Sequence, residues 1–206
     1  MPSSSRQSHR DNGSTLKWPA QISPAELAPP SEAQAHRFGA GRARNDNKPA
    51  WEPTIQPPYP WASNMRAKVL SLEELISKNI IVISGDVHCM ECKKQFQIEY
   101  DFPSKFYDVV SFLVNGNDNM HDVIKDCKLC GRRKCVQPVI SGKKRETNWL
   151  FLFLGQMIGY CNLAHLKYFC KHNNLPTSEA KDPLVKLAYT ALHCQLDQKA
   201  YDLYNQ

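Results

Sequence analysis

Ile80-Ile-Val-Ile-Ser-Gly-Asp-Val-His-Cys-Met-Glu-Cys-Lys-Lys-Gln-Phe-Gln-Ile-Glu-Tyr100 is the stretch from which the architecture of this chain can be read. It opens on a β-branched run, Ile80 to Ser84, of the length of a buried strand. It closes on Gln95 to Tyr100, where Phe96, Ile98 and Tyr100 alternate with polar residues, the period-two pattern of a half-buried strand. Between them lies the knuckle Cys89-Met-Glu-Cys92. Gly85-Asp86 offers a turn, but the knuckle itself is the better hairpin. Strand, knuckle and strand together are the local architecture of one half of a zinc ribbon.

A second knuckle, Cys127-Lys-Leu-Cys130, follows after 34 intervening residues. The short spacing within each knuckle lets both thiolates face one ion. Cys89, Cys92, Cys127 and Cys130 thus supply the four ligands of a closed, tetrahedral structural zinc site. Gly131 suits the turn after the second knuckle, because glycine tolerates positive φ. Cys135 is a fifth thiol within reach and an alternative ligand, although it begins a strand and is expected to pack inward. His88 and His121 read as ordinary histidines. Redox chemistry is the rival use of Cys-x-x-Cys, but it calls for a pair at the N-terminus of a helix. Here the first pair lies between strands and the second precedes Gly131 and a basic loop.

Outward from the knuckles the pattern turns helical. Ser71 with Glu74 forms a capping box for a short helix. Phe106, Val109, Val110 and Leu113 recur at helical spacing between Pro103 and Asn115, with Gly116 as the stop. Val136 to Ile140 reads as a strand that Pro138 confines to an edge or a bulge. Thr147 caps a long predicted helix running to His172, apolar nearly all round in its first half and therefore central. Gly155 and Gly159 on it allow close backbone approach by a neighbour. Asp182-Pro183 starts a final helix. Cys161, Cys170 and Cys194 fall within these helical patterns as small buried hydrophobes.

Composition sets the outer limits. Ten of the 14 prolines lie in residues 1–60, among Ser, Asn, Arg and Gln. Residues 1–56 therefore read as a disordered tail, and residues 57–206 as the folded domain. Tyr59 and Trp61 in Pro57-Pro-Tyr-Pro-Trp61 pack the chain onto that domain or, alternatively, form a short polyproline ligand. The start carries no apolar run of a secretory signal, and the 13-residue run from Trp149 to Cys161 is too short for a bilayer span. A nuclear or cytoplasmic setting, in which cysteines meet metal rather than form disulfides, follows as the expectation. The net charge of +6 is concentrated: eight Lys/Arg face Asp126 alone between Lys125 and Arg145. Lys128, Arg132, Arg133, Lys134, Lys143, Lys144 and Arg145 form a candidate phosphate-facing surface.

Several strings also resemble a plant-specific family of unknown function, number 7086. They are Pro58-Tyr-Pro-Trp61, Ile83 to Cys92, Ile98-Glu-Tyr-Asp101, Lys105-Phe106, Cys135 to Ile140 and Lys143-Lys-Arg145. Asn148 to Met157, Leu166 to His172 and Ala180-Lys-Asp182 continue the likeness, which spans about residues 57 to 198. The connector before Cys127 is shorter than the family's, and Asn173 to Glu179 departs from its pattern. The resemblance implies a proline-rich N-terminal region joined to one cysteine-bearing domain, and no activity. The resulting expectation is an α+β fold, a small zinc-ribbon-like antiparallel sheet packed on three or four helices. Its expected function is non-catalytic binding of nucleic acid or protein. No hydrolase elbow, phosphate loop, His-Glu-x-x-His or deaminase zinc motif is present.

Overall fold

The computed structural model describes residues 54–114 and 125–200. His121 and residues 1–53, nearly all of the proline-rich tail, lie outside them. The described chain is α+β: a three-stranded antiparallel sheet with helices packed against it.

Helix α1, Leu72–Ser77, forms where the sequence supplies both halves of a capping box. The Ser71 hydroxyl accepts from the Glu74 amide, and the Glu74 carboxylate accepts from the Ser71 amide. Strand β1, Val82–Cys89, begins two residues later than the β-branched run and continues straight through Gly85-Asp86. The glycine is therefore no turn. Its missing side chain serves the face of the sheet, because a Cβ there would lie 2.5 and 2.6 Å from Cγ and Cε1 of Phe151. The first knuckle makes the hairpin into β2, Gln95–Asp101, in a register pairing Gly85 with Ile98 and Val87 with Phe96. Strand β3, Val136–Pro138, joins the other edge of β1, so the sheet order is β2-β1-β3. Pro138 sits on an edge strand, where its missing N–H costs no ladder bond.

Helix α2, Phe102–Val114, starts directly from β2, with the Asp101 carboxylate accepting from the Ser104 amide at 3.2 Å. Phe102, Phe106 and Val109 are its buried stripe. The single long helix expected from 147 to 172 is instead three pieces: α3, Trp149–Leu154; a 3-10 turn, Ile158–Tyr160; and α4, Leu163–His172. Gln156 takes a positive φ of 55°, which stops α3, and the Asn162 side chain caps α4 by accepting from the His165 amide. The break has a size argument behind it. A continuous helix over those 26 positions would run about 39 Å. A compact domain of about 140 residues has a radius of gyration near 14 Å. Folding back lets the half that is apolar nearly all round lie in the core while α4 keeps Ala164 and Lys171 exposed. Helix α5, Lys181–Leu196, completes the fold against α4.

The core lies between the sheet and these helices. All six residues of α3 are buried, and Ile83, Val87 and Tyr100 meet them from the sheet. Tyr100 stacks on Phe151 with ring centroids 5.3 Å apart. The cap of α3 is Asn148 rather than Thr147. Its side-chain oxygen accepts from the Phe151 amide and from Trp61 Nε1 at 2.9 Å, while its Nδ2 donates to the Ser84 carbonyl. Tyr59 stacks on Trp61 and donates its hydroxyl to the Glu146 carbonyl. The Tyr-Pro-Trp segment thus packs the chain onto the domain. Cys161, Cys170 and Cys194 are buried, and no helix among the described residues is long and apolar enough to cross a membrane.

Candidate metal centre

The four knuckle cysteines converge. Their Sγ atoms all lie within 4.8 Å of one another, with Cys89 and Cys130 at 3.7 Å and Cys92 and Cys127 at 3.9 Å. A tetrahedral Zn–S distance of about 2.3 Å requires sulfurs about 3.8 Å apart, the edge of the tetrahedron. These two pairs already have that spacing, and the remaining pairs, none beyond 4.8 Å, need only small shifts to hold one metal ion. Cys89 and Cys127 are buried, Cys92 is half-buried and Cys130 faces solvent.

The convergence comes from one local structure used twice. In the first knuckle the Lys93 amide donates to the Cys89 carbonyl, and the Cys89 amide to Lys94. In the second, the Gly131 amide donates to Cys127, and the Cys127 amide to Arg132. Residues 93 and 131 occupy the same place and both adopt the left-handed conformation, at φ 60° and 68°. The backbone amides also aim at sulfur: Glu91 and Cys92 donate to Cys89 Sγ, and Leu129 to Cys127 Sγ, each at 3.4 Å. The knuckles are then held together by the sheet. The Lys125 carbonyl accepts from the Cys135 and Val136 amides, and the Met90 amide donates to the Cys135 carbonyl at 2.7 Å.

The electrostatics of the cluster suit a cation. Burial pushes the Cys89 thiol up, but the amides of Cys92 and Glu91 and the Cys135 and Cys127 thiols outweigh it and hold it at about 6. At Cys130 the Arg132 amide works downward, yet burial and the sulfurs of Cys127, Cys89 and Cys92 push it up to about 12. One thiolate therefore forms readily while a neighbour resists ionising beside it. A bound divalent ion removes that conflict by neutralising them together. The three cysteines of the helical layer differ. Burial alone dominates there and pushes Cys161 and Cys194 up to about 12 and Cys170 to about 11.

Cys135 lies just outside the four. It is buried, its Sγ is 3.4 Å from Cys89 Sγ, and its thiol donates to the Arg132 carbonyl. His88 turns its Nε2 to Met90 Sδ at 3.1 Å and is no member of the cluster. The seven cationic residues divide between two elements. Lys128, Arg132, Arg133 and Lys134 belong to the second knuckle, and Lys128 is partly engaged, with its Nζ on the Gln97 carbonyl and 5.1 Å from the Phe96 ring centroid. Lys143, Lys144 and Arg145 lie on the 3-10 turn Lys144–Glu146 and its cap, where Glu146 pairs with Lys143 and Arg145. Arg132, Arg133, Lys134 and Lys144 are exposed and have no acidic side chain within ion-pair distance among the described residues. A pattern-based reading passes over Gly85 and Asn148, whose roles depend on partners 66 and 64 residues away. The Asn-Trp junction at 148 was the one available signal, a capping residue directly before the apolar run.

A family model described as a domain of unknown function, DUF7086, matches residues 72–196. No curated protein and no solved structure matches the chain.

Proposed function

Because the chain belongs to the DUF7086 family, whose description assigns no activity, we propose its function from the site itself: a non-catalytic, zinc-stabilised binding module that contacts nucleic acid through the basic second knuckle. The observation that carries the zinc reading is the sulfur spacing, 3.7 and 3.9 Å, in an all-thiolate set. Four soft ligands with no position left for water are the donor set of a structural zinc. Such an ion contributes its binding free energy to folding, since the unfolded chain holds no preformed site. Nucleic-acid contact is supported by four exposed cations around and beyond the knuckle that have no ion-pair partner among the described residues. The non-catalytic reading draws on the groove of about 350 Å³ between Tyr59, Trp61 and β1, whose single charged lining residue is Asp86. No histidine, cysteine or lysine lines it beside that carboxylate.

The test is metal analysis of the purified full-length chain, followed by fluorescence anisotropy with labelled single-stranded RNA and duplex DNA across a salt series. One zinc per chain is expected. Four phosphate contacts give a slope of log K against log salt of about −3 for a single strand. Replacing Arg132, Arg133 and Lys134 with Ala should reduce its steepness by about 2. No binding, or binding indifferent to salt, refutes the nucleic-acid reading.

A second reading rests on a different observation. The knuckle tips expose apolar side chains, Met90 at 41% and Leu129 at 50%, beside the same cluster. Such a pair favours a protein partner. A Met90→Ser, Leu129→Ser variant that keeps its metal and its nucleic-acid affinity but loses a protein partner would support it.

A further inference from the structure

Cys135 is closer to Cys89 than Cys130 is, at 3.4 against 3.7 Å. Cys89 ends β1 and pairs with Val136 in β3, so Cys135 stands one step beyond it across the strand pair. The Met90–Cys135 backbone hydrogen bond locks that placement. The spacing is shorter than the roughly 3.8 Å that two ligands of one tetrahedral zinc keep. Cys135 also falls outside the group of four sulfurs that all lie within 4.8 Å of one another, so it is a thiol in contact with a ligand. The pair is buried, and Cys130, 3.7 Å from Cys89, is exposed.

We propose that Cys89 and Cys135 form an oxidisable pair, a modification site at which a hydroperoxide converts a metal-ligand thiolate and its neighbouring thiol into a disulfide. The consequence for the metal rests on the zinc reading above; the pairing rests on the sulfur geometry alone. In the first step the Cys89 thiolate attacks one oxygen of hydrogen peroxide, the O–O bond breaks, hydroxide leaves and Cys89 becomes a sulfenic acid. In the second step the Cys135 sulfur attacks the sulfenic sulfur, its proton passes to the departing hydroxyl, and water leaves as the S–S bond forms. Two electrons move from the two sulfurs to peroxide, which ends as one hydroxide and one water. The sulfurs approach by about 1.4 Å to reach disulfide bonding distance. Cys89 then ceases to be a thiolate ligand, and three cysteines remain to hold the ion.

The experiment treats the zinc-loaded full-length chain with hydrogen peroxide. It follows zinc release with a chromogenic chelator and maps disulfides by peptide mass spectrometry after alkylation. The expected product is a peptide linked through Cys89 and Cys135, appearing with the released zinc. Cys135→Ser should bind one zinc, give no such peptide and release zinc more slowly, since the nearest thiol left to resolve a Cys89 sulfenic acid, Cys130 at 3.7 Å, is itself a ligand. Cys161→Ser, altered in the helical layer, should behave as the parent does. Linkage of Cys89 to Cys92 or of Cys127 to Cys130 instead, with unchanged release from Cys135→Ser, overturns the proposal. So does a Cys135→Ser chain that folds but binds no zinc, because Cys135 would then be a ligand. If the parent chain binds no zinc, the metal reading fails while the disulfide map still decides the pair. That map needs no variant, so a misfolded Cys135→Ser does not obstruct it.

Discussion

Gly85→Ala probes the contact that joins the sheet to the helical layer. The added methyl would sit 2.5 and 2.6 Å from two ring carbons of Phe151, against an ordinary carbon–carbon separation of about 3.5–4.0 Å. One of them must move by about 1 Å. The ring has little room, since Phe151 is 2% exposed, stacked on Tyr100 and anchored at the first turn of a helix whose cap, Asn148, is bonded to β1. Overpacking of this kind costs about 1–3 kcal/mol. Alanine recovers about 0.5–1 kcal/mol of the strand penalty that glycine carries. A net loss near 1–2 kcal/mol is expected, read as a lower urea midpoint at unchanged m with both proteins at the same metal content. The decisive measurement is the double-mutant cycle. Phe151→Ala alone should cost about 3–5 kcal/mol. In that background the alanine at 85 meets space instead of a ring, so Gly85→Ala should be neutral or stabilising. A coupling of about 1.5–3 kcal/mol follows. Additive costs, with a coupling below about 0.5 kcal/mol, would refute the claim that Gly85 exists to seat this ring.

Asn148→Ala removes an acceptor from the Trp61 indole and the Phe151 amide and a donor to Ser84, and should cost about 2–3 kcal/mol by chemical denaturation. Asn148→Asp keeps both acceptor roles and turns its remaining oxygen against the Ser84 carbonyl, so it should recover only part of that loss. Cys89→Ser should abolish both zinc binding and cooperative unfolding of the zinc-loaded state, and a chelator should reproduce that effect in the parent chain, whereas Cys161→Ser should cost about 1–2 kcal/mol and keep the metal. Circular dichroism with metal analysis separates the two.

The knuckles were legible because their information is local. Two cysteines at x2 spacing converge through amides only two or three residues away, and the same hydrogen bonds recur in both copies. The capping box at Ser71, the hairpin at the first knuckle and the edge position of Pro138 are local in the same sense. What escaped is what distance decides. Gly85 looks like a turn residue until a ring from residue 151 is known to need its space. The sequence indicates Thr147 as the cap, but its hydroxyl donates to the Lys144 carbonyl, and the role falls to Asn148, whose amide is long enough to accept from Trp61 and donate to Ser84. The broken helix is an intermediate case. Periodicity favours continuity across Gly155–Asn162, and the left-handed turn at Gln156 breaks it.

His193 supplies the pH dependence, and its sign can be worked through. The ring is 1% exposed on α5 and edge-on to Phe106, with centroids 5.8 Å apart. Burial lowers its proton affinity below that of an ordinary histidine, and Asp197 opposes this only in part. The unfolded chain then binds the proton more readily than the folded one. Above the unfolded value of about 6.5 both states are neutral at this position and His193 contributes no slope. As pH falls from there toward the lowered folded value, protonation of the unfolded chain draws the equilibrium away from the fold. The slope from this residue is at most about 1.4 kcal/mol per pH unit and levels off once the folded form is also charged. Metal thiolates are protonated in acid as well, so the parent curve alone does not isolate the histidine. The difference between parent and His193→Asn does, because both carry the same cysteine cluster, which begins at the last residue of β1. Denaturation midpoints measured from pH 7.5 downward should converge for the two proteins as pH falls below about 6.5, with the parent losing the larger share. A constant offset throughout would mean that His193 titrates alike in both states and that its burial carries no proton linkage.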